Sequence, residues 1–320
     1  MKDRVLLIGT GPMSLAYAKV LSSLDIEFSV VGRGLESRIN FESQTGVKPV
    51  GGGLKHYLET VGNLDGLSVI IATGTESLME ALLLAVSAGA SKILVEKPAA
   101  ISIDELLTQE TFFAGLDTPI FLAYNRRFYA SVVQAQQLIQ EDGGLQSIQF
   151  EFTEWVHVIE GLKKPPGVKE NLFFANSTHV IDLAFFLAGK PREWACYSTE
   201  GDLKWHKKTN FAGAGLTENG VLFSYLSNWS SAGRWSIELF TGKRRIYLKP
   251  LEALFIQKKG SVALEPHTFD DSFDTTFKPG IYLQTKAFVE GNFERLPRLN
   301  DHILLTRKVY SKMLNHNGSV

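Results

Sequence analysis

Gly9-Thr10-Gly11 follows the apolar run Val5-Leu6-Leu7-Ile8 and precedes Pro12-Met13-Ser14-Leu15-Ala16, where small and apolar residues recur at helical spacing. Residues of these types in this order suit the holding of a pyrophosphate. Gly9 permits a tight turn, Gly11 lets the backbone approach the anion, and Pro12 is preorganised for the start of a helix. The free N–H groups of that helix start, with the positive end of its dipole, then face the phosphates. Thr10, Pro12 and Met13 belong to the same turn, and Ser14 stands where a third glycine is usual. The stretch is expected to bind a dinucleotide.

Two further stretches bear on that chemistry. A site for NAD places a carboxylate about 20 residues past the glycines, on the ribose 2′-hydroxyl. Here the expected position holds Gly32, then Arg33, with Ser37 and Arg38 one turn further on. A guanidinium pairs with a 2′-phosphate in bidentate fashion and stacks on adenine. The missing acid and the added base predict NADP(H) over NAD(H); a solvated loop arginine with NAD(H) is the alternative. Glu96-Lys97-Pro98 ends the strand Ser91–Val95, at the edge where open α/β sheets bind ligands, and Thr73 ends a neighbouring strand. Lys97 placed there reaches a substrate hydroxyl and the nicotinamide ribose together, and Pro98 keeps it out of the helical region. Read alone, the lysine could equally belong to an ordinary loop.

The elements that must position these residues alternate. Strand-like runs at Val5–Ile8, Glu27–Val31, Leu67–Ala72, Ser91–Val95 and Pro119–Ala123 are separated by helical patterns. One of these begins at Ser102, with Glu105 three residues on as a capping box. Such alternation predicts a doubly wound parallel sheet, hence a Rossmann domain over residues 1–123. Gly51-Gly52-Gly53 is an irregular junction within it. Beyond residue 123 the pattern changes. Ser131–Gln140 reads as a helix, Leu145–His157 as a long alternating strand, and Ser177–Ala188 as a strong helix closed by Gly189 and Pro191. Successive strand-like runs from Glu193 to about Val262 predict an antiparallel or mixed sheet, predominantly antiparallel. The second domain is therefore α+β over residues 124–320, with the last helix packing back on the first.

Composition sets the outer bounds. The 320 residues suffice for two domains, and 44% hydrophobic content suits a globular α/β protein. A formal net charge of −1 gives no electrostatic case for nucleic acid or a membrane surface. Cys196 is the one cysteine, so no intrachain disulfide or cysteine-based metal cluster forms, and the seven histidines lack metalloprotease spacing. No metal is expected. The apolar helix near Leu78–Ala88 is too short to span a bilayer, and residues 1–3 leave no room for a signal peptide. These features predict a cytoplasmic protein.

Taken together, Gly9-Thr10-Gly11, Glu96-Lys97-Pro98, Asn125-Arg126-Arg127-Phe128 and Thr178-His179-Val180-Ile181-Asp182 resemble, in order and spacing, the glucose–fructose oxidoreductase / inositol dehydrogenase / MocA family. The resemblance covers essentially the whole chain, and it implies a Rossmann domain followed by an α+β domain with a large, open, mainly antiparallel sheet. It implies NAD(P)-dependent oxidation or reduction of a sugar, cyclitol or nucleotide-linked sugar by a homodimer or homotetramer, in which a second subunit covers the open sheet. It further implies that Lys97 is the active-site lysine and His179 the acid–base histidine, meeting beside the nicotinamide with Asn125 and Arg127 in the substrate site. One departure matters. The family often carries an aspartate four residues before the histidine, where this chain has Ala175. Asp182, three residues after His179, either orients the imidazole or is a structural helix carboxylate; Asn176 is another candidate to hold it. Ala175 is also the best support for a rival class, a catalytically weak NADP(H)-binding sensor or scaffold. Trp155 and His157, on one face of the expected strand, could flank a sugar ring or belong to the core. Lys163, Lys164 and Lys169 could meet a diphosphate or simply be solvated.

Overall fold

The computed structural model describes residues 4–314. The chain separates into two compact units, one running to Asn125 and taking in Phe273–Leu304, the other comprising Arg126–Ser272 and the chain from Leu305. The sequence pattern assigns 124–320 to the second domain with the last helix packing back on the first; in the folded chain the segment grouped with the first unit is Phe273–Leu304, and the chain after it belongs to the second. The physical reason lies in aromatic packing. Phe121 stacks on Phe293 at 4.4 Å between ring centroids, and Lys92 Nζ donates to Val289 O.

In the first unit β1 (Val5–Ile8), β2 (Phe28–Val31), β3 (Ser68–Ile71), β4 (Lys92–Val95) and β5 (Ile120–Leu122) form a parallel sheet in the order β2-β1-β3-β4-β5. β1 and β3 are buried along their whole length, which is why they read as unbroken apolar runs rather than alternating ones. The reversal of strand order beside β1 places the ends of β1, β2 and β3 around one crevice.

The second unit is built on an eight-stranded sheet. Its strands are β6 (Leu145–Glu151), β7 (Pro191–Glu200), β8 (Lys208–Thr217), β9 (Leu222–Asn228), β10 (Ser236–Thr241), β11 (Arg244–Leu248), β12 (Phe255–Lys258) and β13 (Glu265–Pro266). They lie in the order β13-β12-β11-β10-β6-β9-β8-β7, antiparallel except for the β6–β9 pair. β9 shows why one face is covered. Phe223 and Tyr225 are buried, while Leu222 and Leu226 point the other way and are exposed. The helix Thr178–Ala188 covers the buried face, its Phe185 ring meeting Phe150 at 5.7 Å and Phe223 at 5.2 Å.

The strand expected over Leu145–His157 ends at Glu151. Phe152, Thr153 and Glu154 are buried in succession, which a half-buried strand does not allow, and Val156–Glu160 forms a short helix. Trp155 and His157 therefore do not share a strand face. The helix expected from Ser177 starts at Thr178, continuing a wide π-turn over Phe173–Ser177.

Candidate functional site

The first unit carries a cradle at the carboxyl ends of β1, β2 and β3. Gly9 has φ +119°, and a Cβ there would lie 2.4 Å from Ala72 O, so glycine is required. At Gly11 a Cβ would meet nothing within 4 Å. Gly11 opens the helix Pro12–Ser23 with no side-chain cap, and Pro12 takes the first helical position. The first amides of that helix thus lack a capping side chain, as a phosphate site requires. Ser14 occupies the third-glycine place fully buried, its hydroxyl donating to Ala72 O at 3.2 Å.

The crevice beside this turn is lined by Gly32, Arg33, Gly53, Thr73, Ser77 and Glu80. A Cβ on Gly32 would stand 2.6 Å from Thr10 Cγ2, so Thr10 occupies the space a larger residue would need. Thr10 Oγ1 and Ser37 Oγ share a hydrogen bond of 2.9 Å. Arg33 Nη2 donates to Ser77 Oγ at 2.5 Å, and its Nη1 lies 3.7 Å from Glu80. Two of the three consecutive glycines acquire a role here. The Arg33 side chain lies over Gly53 and the Arg38 guanidinium over Gly51, close enough that a Cβ at either would collide. Arg38 Nε is buried without a hydrogen-bond partner among the described residues. Ser77, Glu80 and the glycine run were not legible as site residues, because only the crossover from β2 to β3 brings them beside Arg33.

Glu96-Lys97-Pro98 leaves β4 as expected. Glu96 Oε1 accepts from Tyr17 Oη at 2.8 Å, and Gln284 Nε2 donates to the same phenol at 3.0 Å. Burial, then the adjacent Glu96 charge, pushes the Tyr17 phenol well above its usual range, so it remains a neutral donor. Lys97 is half-buried and joined to Pro98 by a cis bond. His302 Nε2 donates to Pro98 O at 3.2 Å. The Asn125 amide, expected in the substrate site, donates to Pro279 O at 2.9 Å.

In the second unit the residues around His179 form a distinct cluster. His179 is 5% exposed and its ring packs on Trp235 at 5.8 Å. Arg127 grips Asp182 with two hydrogen bonds, Nε to Oδ2 at 2.7 Å and Nη2 to Oδ1 at 2.6 Å. Asp182 thus has an arginine for its partner. Asn176 Nδ2 and Ser177 Oγ each donate to Glu154, at 2.8 Å. Glu154 is 1% exposed, and Arg234 Nη1 stands 3.6 Å from it. Burial raises the Glu154 carboxyl above its ordinary range, against the opposing pull of Ser177, Asn176 and Arg234. The Arg234 guanidinium lies 4.6 Å from both the Trp155 and Trp235 rings, and Arg126 lies 4.6 Å from Trp235. Trp155, half exposed, is bound to Gly233 O through its indole N–H. Glu154 carried no signal in the sequence, being 22 residues from its partner Asn176. Lys169 Nζ is tied to Glu160 O, and Lys163 and Lys164 are exposed.

No sequence-family model and no curated protein matches the chain. Its structure, by contrast, is close to solved ones. Levoglucosan dehydrogenase in complex with NADH superposes with a TM-score of 0.76 at 15% identity, over 98% of this chain and 96% of that one. A dehydrogenase (MviM) from Clostridium difficile gives 0.75 at 14% identity, over 98% and 99%. UDP-N-acetylglucosamine 3-dehydrogenase GnnA from Acidithiobacillus ferrooxidans gives 0.68 at 14% identity, over 97% of each chain. The chain has their fold. That fold agrees with the resemblance to the glucose–fructose oxidoreductase / inositol dehydrogenase / MocA family. Among the described residues no cluster of three His, Cys, Asp or Glu is placed to hold a metal, and no helix is long and apolar enough to cross a membrane.

Proposed function

We propose that the chain is a nicotinamide-dependent oxidoreductase acting on a hydroxyl or carbonyl carbon of a sugar, cyclitol or nucleotide-linked sugar, with NADP(H) preferred over NAD(H). The observation that carries this is the Gly9–Gly11 cradle, with a glycine that must be glycine beside one whose Cβ position is open. A pyrophosphate fits there, held by backbone amides of the turn and by the helix start at Pro12.

The preference for the 2′-phosphate is supported by the end of β2. Thr10 leaves no room at Gly32 for the carboxylate side chain that would favour a 2′-hydroxyl. Arg33 and Arg38 flank the same position, and Ser37 Oγ shares a hydrogen bond with Thr10 Oγ1 beside it. The Arg33 stem lies against Gly53 and the Arg38 guanidinium against Gly51, and Arg33 Nη2 donates to Ser77 Oγ on the crevice wall, where a 2′-phosphate would find a charged donor.

When bound, the nicotinamide supplies or accepts the hydride. The chain's own residues handle the proton and the charge. Lys97 holds a positive charge near the reacting oxygen and stabilises the developing alkoxide. His179 takes the hydroxyl proton in the oxidation direction and returns it in reduction, because an imidazole exchanges protons near neutral pH. Trp155, Asn176, Asn125 and Arg127 are the accompanying candidates for the substrate site, Asn125 and Arg127 acting through the backbone and carboxylate they hold. Homo-oligomerisation through the second unit's sheet belongs to the same proposal, as does a cytoplasmic location.

A second reading keeps the cofactor and drops the turnover. Ala175, which cannot supply a carboxylate beside the histidine, favours an NADP(H)-binding sensor. Absorbance at 340 nm against a panel of sugars, cyclitols and nucleotide sugars, run with calorimetric titration of both cofactors, separates the two. Cofactor binding with turnover of a panel member is the expected result. Binding without turnover would leave the sensor, and absence of binding would end both.

A further inference from the structure

We propose that Glu154 is the positioning carboxylate for His179, taking the place of the acid absent at Ala175. The inference rests on the reading of His179 as the acid–base group. Its support comes from three elements that converge on one side chain. Glu154 lies three residues past the end of β6, in a segment of consecutively buried residues. Both of its oxygens accept side-chain hydrogen bonds from Asn176 and Ser177, the residues just before Thr178 and His179. The backbone there is a π-turn, whose extra residue turns positions 176 and 177 toward Glu154 instead of leaving them in helical register. The third element is the segment before β10. Arg234 stands 3.6 Å from Glu154, and Trp235 packs on the His179 ring.

A structural role alone does not account for this arrangement. Burying a carboxyl is costly even when it is paired, and an apolar side chain of the same volume commonly serves stability as well or better. What the carboxyl adds is negative charge, rigidly held beside the turn that starts the histidine's helix. Negative charge there favours the imidazolium, the form His179 must adopt when it takes a proton. Other charges lie near this pair, among them Glu151 beside Gly233. Arg234 opposes Glu154 directly, Arg126 lies across the Trp235 ring, and Asp182 on the histidine's own helix is matched by Arg127.

The test reads the histidine ring and needs no substrate. The full chain is prepared with labelled histidine, the His179 resonance is assigned by its loss in His179→Gln, and its pH titration is followed by NMR. In Glu154→Gln, which keeps shape and acceptor but removes charge, the His179 midpoint is expected to fall by about 0.5 pH unit or more. His56, His267 and the other histidines should not move. An unchanged His179 midpoint in the folded variant would overturn the proposal. Should Glu154→Gln fail to fold, the wild-type protein decides. The His179 titration should then show a second step at the midpoint of the Glu154 carboxyl carbon, as coupled sites do, and a single-step curve would refute the coupling. A His179 response of the expected size with no turnover of any substrate would count against the oxidoreductase reading and leave the coupling standing.

Discussion

Arg127 and Asp182 show how a residue with a plausible chemical role can be claimed by structure. The two side chains are 13% and 2% exposed and joined by a two-pronged ion pair, with the guanidinium lying over the Phe186 ring at 4.6 Å. Removing one partner of a buried pair leaves the other uncompensated, at a cost of about 3–5 kcal/mol. Asp182→Asn should therefore lower unfolding stability by about that amount, read from the denaturant midpoint at constant slope. A loss of activity in Asp182→Asn without loss of stability would instead assign the carboxylate to chemistry. Lys97 and His179 should behave in the opposite way. Lys97→Met and His179→Asn should each lower turnover by at least about 10²-fold while NADP(H) affinity is largely kept. Equal losses in cofactor affinity would show that these side chains hold the cofactor or the fold.

At the scale of elements, the turn after β2 is the part whose logic changed most between sequence and structure. The Gly32–Arg33 pattern is local: a strand end, a missing acid and a base. The placement of Gly51 and Gly53 is not, because it depends on Val50 pairing back on β2: Val50 N donates to Val30 O, and Gly32 N to Val50 O. That return lays Gly53 beneath Arg33 and Gly51 beneath Arg38. The same distinction runs through the chain. Ser102 and Glu105 form the expected cap, since Glu105 N donates to Ser102 Oγ at 3.1 Å within one turn. Glu154 has no local signal, because a π-turn and a loop 22 to 80 residues away give it its partners. The β2 turn yields a direct test. Arg33→Ala removes one charge-assisted contact and should cost about 1.5–3 kcal/mol for NADP and little for NAD, measured by calorimetric titration. Equal loss for both cofactors, or native preference for NAD, would show that Arg33 does not read the 2′-phosphate.

At the scale of the whole molecule, the second unit's sheet has one face under its helix and another that carries exposed apolar side chains. Pairing places Tyr197, Ala212 and Leu226 in one row across β7, β8 and β9, and Leu216 and Leu222 in another. Tyr197 is 66% exposed, and Leu222 and Leu226 are each 60% exposed. Eight strands about 4.8 Å apart and averaging about six residues, at about 3.3 Å per residue, present a face of roughly 34 by 21 Å. That is about 700 Å² on each partner, near the lower end of a standard stable interface. A second copy of the chain meeting face to face would repeat each row against itself and close the assembly with two-fold symmetry. Light scattering should accordingly give a mass that is a multiple of 35.5 kDa at micromolar concentration. Replacing Leu222 and Leu226 together by Glu should convert the assembly to single chains, since like charges would then oppose across the symmetry axis. NADP(H) affinity should be unchanged, because the Gly9–Gly11 cradle belongs to the other unit. A native mass of one chain would refute the oligomer. An assembly that survives the double substitution would show that the sheet face is not what holds it together.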